Sequence, residues 1–393
     1  MPNRLILSMI KTVTKFVSFF AICFVSYVLF FCFPLLSEAM VTGYCSNCHT
    51  MHNSQGGRPT AKEYSSTSAG LVQDSTPNQA LLISNCIGCH FNNGSATVDN
   101  YGTPIVLNHN NPSQPLAGGN FYYVGDGLGA EYNKGHNVRG ISSQETSPMD
   151  TPPGFKPNVT LPNSGTGPGS WTQQLTCAGT FGCHGNRTIT DEIRSIFGGH
   201  HSNINTDISS PANHVYDSYR FLLGIKGAED NDWEQVTASD NHNGYQGDSV
   251  YGSVHTISYF CGECHGNYHA HTNLGGTATV GNSTPWVRHP SDFAFSGARG
   301  GNYASSEYAQ YNTPNTNIYS TEAPVAETNP TTNNPTVGPA SIVMCLSCHR
   351  AHASPYFKMV RWDYRGWPAT GVTGCDPGTG KHGCCNVCHT SKN

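Results

Sequence analysis

Charge is scarce in this chain: only 11% of its 393 residues are Asp, Glu, Lys or Arg. That is too little for a disordered polyelectrolyte. The formal net charge is -5 and the 20 Lys and Arg are thinly spread, so no basic stripe exists to follow a phosphate backbone. No nucleic-acid partner is expected. Long amphipathic periods are also missing, which argues against a helical enzyme or a bundle. Methionine is sparse, with Met40, Met51, Met149, Met344 and Met359 beyond residue 39.

What the chain has instead is 43 Gly, 24 Pro, 16 Cys and 19 His. Proline and glycine break up long stretches such as "TPPGFKPNVTLPNSGTGPGS", Thr151 to Ser170, and Asn312 to Pro339, where regular ladders cannot form. Structureless segments of about 20 residues are rare in a compact domain unless something other than secondary structure organises them. Short helices are expected at "TDEIRSIFGG", with Thr190 or Asp191 as cap, Ile193, Ile196 and Phe197 on one face and Gly198 as stop. A second is expected at "DSYRFLLG", with Tyr219, Leu222 and Leu223 on one side.

Residues 1–39 read as a secretion signal: Arg4, Lys11 and Lys15 precede an apolar run from Phe16 to Leu36, and Ser37 to Ala39 offer small residues for cleavage. The alternative is a retained anchor, since about 20 apolar residues can span a bilayer. Otherwise the membrane matters only during export. Residues 40–393 then form a single domain. Cys23 and Cys32 fall in the leader, so 14 of the 16 cysteines remain, and outside the cytoplasm they need bonds of some kind.

Those bonds are signalled by CxxCH, which occurs five times: Cys45, Cys48 and His49; Cys86, Cys89 and His90; Cys261, Cys264 and His265; Cys345, Cys348 and His349; Cys385, Cys388 and His389. This is the c-type haem attachment motif. Two thiols about one helical turn apart each form a thioether to a vinyl group, and the following imidazole takes the iron from one face. Zinc ribbons also use CxxC pairs. A histidine after every pair would arise by chance on the order of one time in a million.

"CAGTFGCH" offers a sixth site, Cys177, Cys183 and His184, with five intervening residues. Gly179 and Gly182 would have to let the insert loop outward; the alternative is a local disulfide. Six proximal histidines leave 13 of the 19, a surplus that favours bis-histidine iron over methionine ligation. In "CHTMH" and "CHRAH" the second histidine, His52 or His352, stands too near the first to reach the opposite face of the same porphyrin, so it is free to serve another haem. The expected distal set is His52, His136, His269, His289, His352 and one of the "GGHH" pair, His200 or His201, taken as His201. His109, His214, His242, His255, His271 and His382 are in reserve. Cys375 and Cys384 remain; a disulfide between them would stabilise by about 2–3 kcal/mol, and the alternative is that Cys384 competes for attachment.

The segments "CSNCHTMHNSQGG" (Cys45 to Gly57), "KGHN" (Lys134 to Asn137), "RHP" (Arg288 to Pro290) and "CLSCHRAHASPYFKMVRWDY" (Cys345 to Tyr364) resemble outer-surface multihaem c-type cytochromes of the OmcS type. The resemblance runs through the mature chain in order. It implies a mostly irregular coil with short helices, wrapped around a continuous stack of six covalent, bis-histidine haems c. It also implies a homopolymer in which the histidine at the place of His52 ligates a haem of the next subunit. The chain departs from that family at Cys177 and Cys183, and no histidine follows three residues after His184. The reading is thus a secreted electron-transfer protein of conductive filaments, exchanging electrons with partner cytochromes or an extracellular acceptor. Its rivals are a soluble periplasmic shuttle and a multihaem reductase with one open haem.

Overall fold

A computed structural model describes residues 43–114, 116–125, 131–144, 151–157, 171–201, 214–235, 242–249, 252–269, 271, 291–297, 319–331 and 337–363. All of them belong to one compact unit, Met40–Asn393. The expected leader, His289, the last attachment motif (Cys385, Cys388, His389) and the Cys375–Cys384 pair lie outside the described residues.

The chain is mostly irregular, as its proline, glycine and charge content predicts. Among the described residues the α-helices are Cys86–Cys89, Glu192–Ser195, Ile257–Cys264 and Cys345–Cys348, so regular helix gathers where cysteine motifs stand. Side chains cap the short turns: Asn85 accepts from the Gly88 N–H, Asp191 from Arg194 and Thr256 from Tyr259. The strands pair only in twos, the longest being Lys62–Ser65 against Gly70–Gln73 in antiparallel register.

Among the described residues the apolar interior forms three small clusters. One gathers Tyr64, Leu107, Phe121, Val124, Val138 and Ile141 against Cys177. The second packs Tyr219, Leu222, Ile225, Tyr245, Ile257 and Phe260 against Cys183, and the third sets Phe295, Tyr319, Val325 and Trp362 beside Cys348. Each cluster therefore ends on an attachment cysteine.

The helix expected at "TDEIRSIFGG" forms over Glu192–Ser195 with Asp191 as its cap, and Gly198 follows at φ +82°. Phe197, expected on the buried face, is exposed, because the chain has already left the helix at Ile196. "DSYRFLLG" is not a helix. Arg220 and Phe221 sit at φ +48° and +60°. Arg220 is held there by its backbone N–H to Glu229 Oε1 (2.6 Å) and its guanidinium to Glu229, the Asp230 carbonyl and Asn243. Buried charge-assisted bonds outweigh the about 1–2 kcal/mol that a left-handed residue costs.

Candidate functional site

The described CxxCH motifs share one local geometry. The histidine N–H donates to the carbonyl of the first cysteine in every case: His49 to Cys45 (2.8 Å), His90 to Cys86 (3.0 Å), His265 to Cys261 (2.9 Å) and His349 to Cys345 (3.1 Å). That bond closes one α-turn, which stacks the two sulfurs on one side and brings the imidazole out beyond them.

The wide motif reaches the same end by another path. Thr176–Ala178 and Gly182–His184 pair in parallel, Thr176 opposite Gly182 and Ala178 opposite His184. Cys177 and Cys183 thus occupy matching positions one coil apart, as the CxxC cysteines do one helical turn apart. Gly179 turns the chain at φ +80°, and a Cβ on Gly182 would come within 2.5 Å of the Ala178 nitrogen, so both glycines are required. The two sulfurs are not bonded to each other in this structure. Changing both to Ser is expected to remove one haem of the full complement by intact mass, while an unchanged mass would return this loop to a purely structural role.

Beyond the motif, each described proximal imidazole is aimed by a remote carbonyl. His49 Nδ1 donates to Ala80 O (2.9 Å), His90 to Pro104 O (2.8 Å), His184 to Arg220 O (2.9 Å), His265 to Pro153 O (2.7 Å) and His349 to Lys358 O (3.1 Å). The acceptors are conformationally stiff. Pro104 and Pro153 have φ set by their rings; Ala80, Arg220 and Lys358 each begin a pair of left-handed residues, with φ of +55°, +48° and +61°. Such bonds hold the proton on Nδ1 and leave the Nε2 lone pair for a metal. Burial also keeps several of these rings neutral: it pushes His265 down to about 4, with His136 the next cause, and lowers His90 and His184. A metal-binding imidazole has to be neutral.

Opposite three of the proximal rings stands a second histidine. Ring centroids are 6.2 Å apart for His90 and His200, 6.4 Å for His184 and His352, and 6.1 Å for His136 and His265. Two imidazoles sharing one metal through bonds of about 2 Å place their centroids about 6 Å apart. The donor set therefore fits covalently held, bis-histidine haem. Among the described residues no group of three or more His, Cys, Asp or Glu converges as an ion site, whereas a zinc ribbon draws four such ligands to one point.

His136 and His352 thus face proximal histidines of other motifs. His200, rather than the expected His201, faces His90; the side chain of His201 lies outside the described residues. His52 is exposed and faces no proximal ring in the described structure. His269 is placed differently from expectation: its Nε2 donates to Asp292 Oδ2 (3.1 Å) and its Nδ1 accepts from the His271 N–H (3.0 Å). Its 6.4 Å spacing from His271 consequently leaves no lone pair on His269 for a metal. Two reserves, His242 and His255, do show the ligand-type bond, donating from Nδ1 to Asn243 O (2.8 Å) and Gly224 O (2.7 Å). Of the methionines, Met344 is buried in an apolar cluster and Met51 is 85% exposed.

The "CHRAH" segment serves three sites at once. His349 belongs to its own motif and His352 faces His184. The Ala351 carbonyl accepts from His136 Nδ1 (2.8 Å) while the His352 carbonyl accepts from the His136 N–H (3.0 Å). Gly135 permits that approach, since a Cβ there would meet the Ala353 Cβ at 2.4 Å.

Successive motifs are also neighbours in space. Burial raises the Cys89 thiol to about 11, with Cys48 of the preceding motif the next cause. Burial likewise raises Cys177, with Cys86 next, and Cys183 to about 12, with Cys264 next. Cys261 and Cys345 are brought near each other because the helices Ile257–Cys264 and Cys345–Cys348 pack together and Ser258 Oγ accepts from the Cys345 N–H (3.3 Å); each thiol is the largest influence on the other's ionisation. Each described motif thus feels the charge of the next one along the chain.

No family model matches the chain, and no curated protein does. Two solved structures match. The outer membrane cytochrome S filament from Geobacter sulfurreducens is 19% identical over 83% of this chain and 85% of that one, with a TM-score of 0.43. The OmcS nanowires from Geobacter sulfurreducens are 20% identical over 88% of this chain and 91% of the other, at a TM-score of 0.47. With scores below 0.5, the functional reading rests on this chain's own cysteines and histidines.

Proposed function

We propose that the chain is a secreted hexahaem c-type cytochrome that carries electrons and acts as the subunit of an extracellular filament. The observation that carries this reading is the repeated donor set: a cysteine pair, a proximal histidine fixed through Nδ1 by a remote carbonyl and, at three of the five described sites, a second imidazole 6.1–6.4 Å away, with the cysteines of successive motifs near enough to influence one another's charge. A substrate pocket needs no such row; a path for electrons does. When bound, haem supplies a one-electron ferric/ferrous couple at each site.

The chain's own residues do the rest. Cys45, Cys48, Cys86, Cys89, Cys177, Cys183, Cys261, Cys264, Cys345, Cys348, Cys385 and Cys388 would hold the six groups. His49, His90, His184, His265, His349 and His389 would be the proximal ligands. His200, His352 and His136 would be the distal partners of His90, His184 and His265. Carbonyls of stiff turns hold the Nδ1 protons, and apolar clusters exclude water around the third to fifth sites. The first site differs in being open: Tyr44 is 83% and Met51 85% exposed, Cys45 and Cys48 are exposed, and so is His52. An exposed histidine beside apolar surface at the end of the row suits a bond to a second copy of this chain. Partner cytochromes or an extracellular acceptor would take the electrons onward.

Electron cryo-microscopy of haem-staining material sheared from producing cells is expected to show filaments with haem density crossing subunit boundaries. His52→Ala should reduce the product to short or single particles that still carry every haem. Discrete wild-type particles would leave a shuttle, and a high-spin ferric signal in them would point to a reductase.

A further inference from the structure

We propose that Arg187, held in place by Glu263, raises the reduction potentials of the haems at the third and fourth sites, an inference that rests on the haem reading above. Arg187 lies three residues after His184, and Glu263 stands between the two cysteines of "CGECH". Their side chains are 2% and 0% exposed, with Nη1 and Oε2 2.5 Å apart. The other guanidinium nitrogen, Nη2, reaches 3.8 Å from Cys264 Sγ, the atom that would form a thioether, and the guanidinium carbon lies 5.7 Å from the Phe260 ring centre.

Stability alone does not account for this pair. Removing two ions from water is costly, and a well-packed apolar pair of similar volume is often as good or better. The placement has an electrical consequence instead. At Cys183 and at Cys264 burial has the largest influence, and at both sulfurs Arg187 acts more strongly than Glu263. The pair is neutral overall, yet its positive end stands beside Cys264 Sγ (3.8 Å), and its field also reaches Cys183. A guanidinium keeps its proton throughout, and in a buried setting its field is weakly screened. A fixed cation stabilises an added electron, so reduction at these two sites becomes easier than it would be without Arg187. Net charge and hydrogen bonds at the sulfur are levers by which a protein sets such potentials. Arg187 is thus a potential-setting residue in the middle of the row.

The test is a spectroelectrochemical titration of the intact holoprotein, followed in parallel by electron paramagnetic resonance. Glu263→Gln leaves the cation unbalanced. One or two of the one-electron components should then be at least about tenfold more reduced at a fixed electrode potential, which is about 59 mV upward for one electron. The double variant Arg187→Gln with Glu263→Gln leaves no unpaired ion and should move the same components in the opposite direction, while the others stay in place. A disturbance of packing has no reason to reverse sign between the two variants. Superimposable curves, or shifts of one sign in both, overturn the proposal. If Glu263→Gln does not accumulate, the double variant decides alone, and an unmoved curve overturns it. Mass and low-spin absorption of the wild type report separately on the haem reading: a wild type without haem removes both, whereas a fully loaded wild type with unmoved variants removes only this inference.

Discussion

Made in cells that lack the machinery for haem attachment, the chain should show no cooperative unfolding transition by heat or urea. The expected loss is the whole of its net stability, about 5–15 kcal/mol for an ordinary domain. The reason lies in how the interior is divided. Among the described residues the apolar side chains form three separate clusters, and the largest contains ten buried residues. With 354 residues after Ala39, each of six haems would serve about 59 residues, so every cluster is smaller than the core of a small independent domain. The clusters end on Cys177, Cys183 and Cys348, where a large flat apolar group would complete them. Circular dichroism and proteolysis of the haem-free chain would make the comparison. A sharp transition with protected fragments would show that the polypeptide folds by itself and would contradict the view that the cofactors are its core.

His352→Ala should convert one haem, and only one, from low-spin to high-spin ferric. The chain should stay folded with every haem attached. On the proposed pairing His352 is the partner of His184, its ring 6.4 Å away and packed on Phe121 at 4.8 Å. Its backbone does separate work: the N–H donates to Gly118 O (2.7 Å) and the carbonyl accepts from the His136 N–H (3.0 Å). Truncating the side chain leaves both bonds in place, so the site paired through His136 should keep its low-spin signal. The effect is large at its own site because the half-buried ring is neutral; desolvation, then His184, push it down to about 3. Combining His352→Ala with the double serine change at Cys177 and Cys183 should abolish the high-spin signal, since the affected haem is then absent. A high-spin signal that persists would mean that His352 serves a different motif. His200→Ala offers the parallel test at His90, and His201→Ala should leave the spectrum unchanged.

The irregular character of the chain was legible in the sequence, and the proposed attachment sites were read from it, for local reasons. A thioether pair and its proximal histidine span five or eight consecutive residues, "CIGCH" or "CAGTFGCH", so the chemistry is written in one short segment. The short helix after Asp191 was legible on the same ground, since a cap and its turn are neighbours. The expectation that His352 serves another haem than its neighbour also came from local spacing, and the placement of its ring opposite His184 agrees with it.

What the sequence could not state is who faces whom. His136 and His265, or His184 and His352, meet only because distant segments are stitched together, as when Gly135 packs on Ala353. Arg220 reads as part of a helical pattern, yet Glu229 and Asn243 hold it in a left-handed turn whose carbonyl aims His184. His269 sits four residues after a proximal histidine and looks like a ligand, but Asp292 takes its Nε2 proton. By itself, then, the sequence determined where the CxxCH motifs and their wide variant stand, and so through which residues the proposed haems would be attached, because covalent attachment is a local act. Only the tertiary structure decided the opposing pairs, the order of the row and the placing of Arg187, because those depend on contacts between residues remote along the chain.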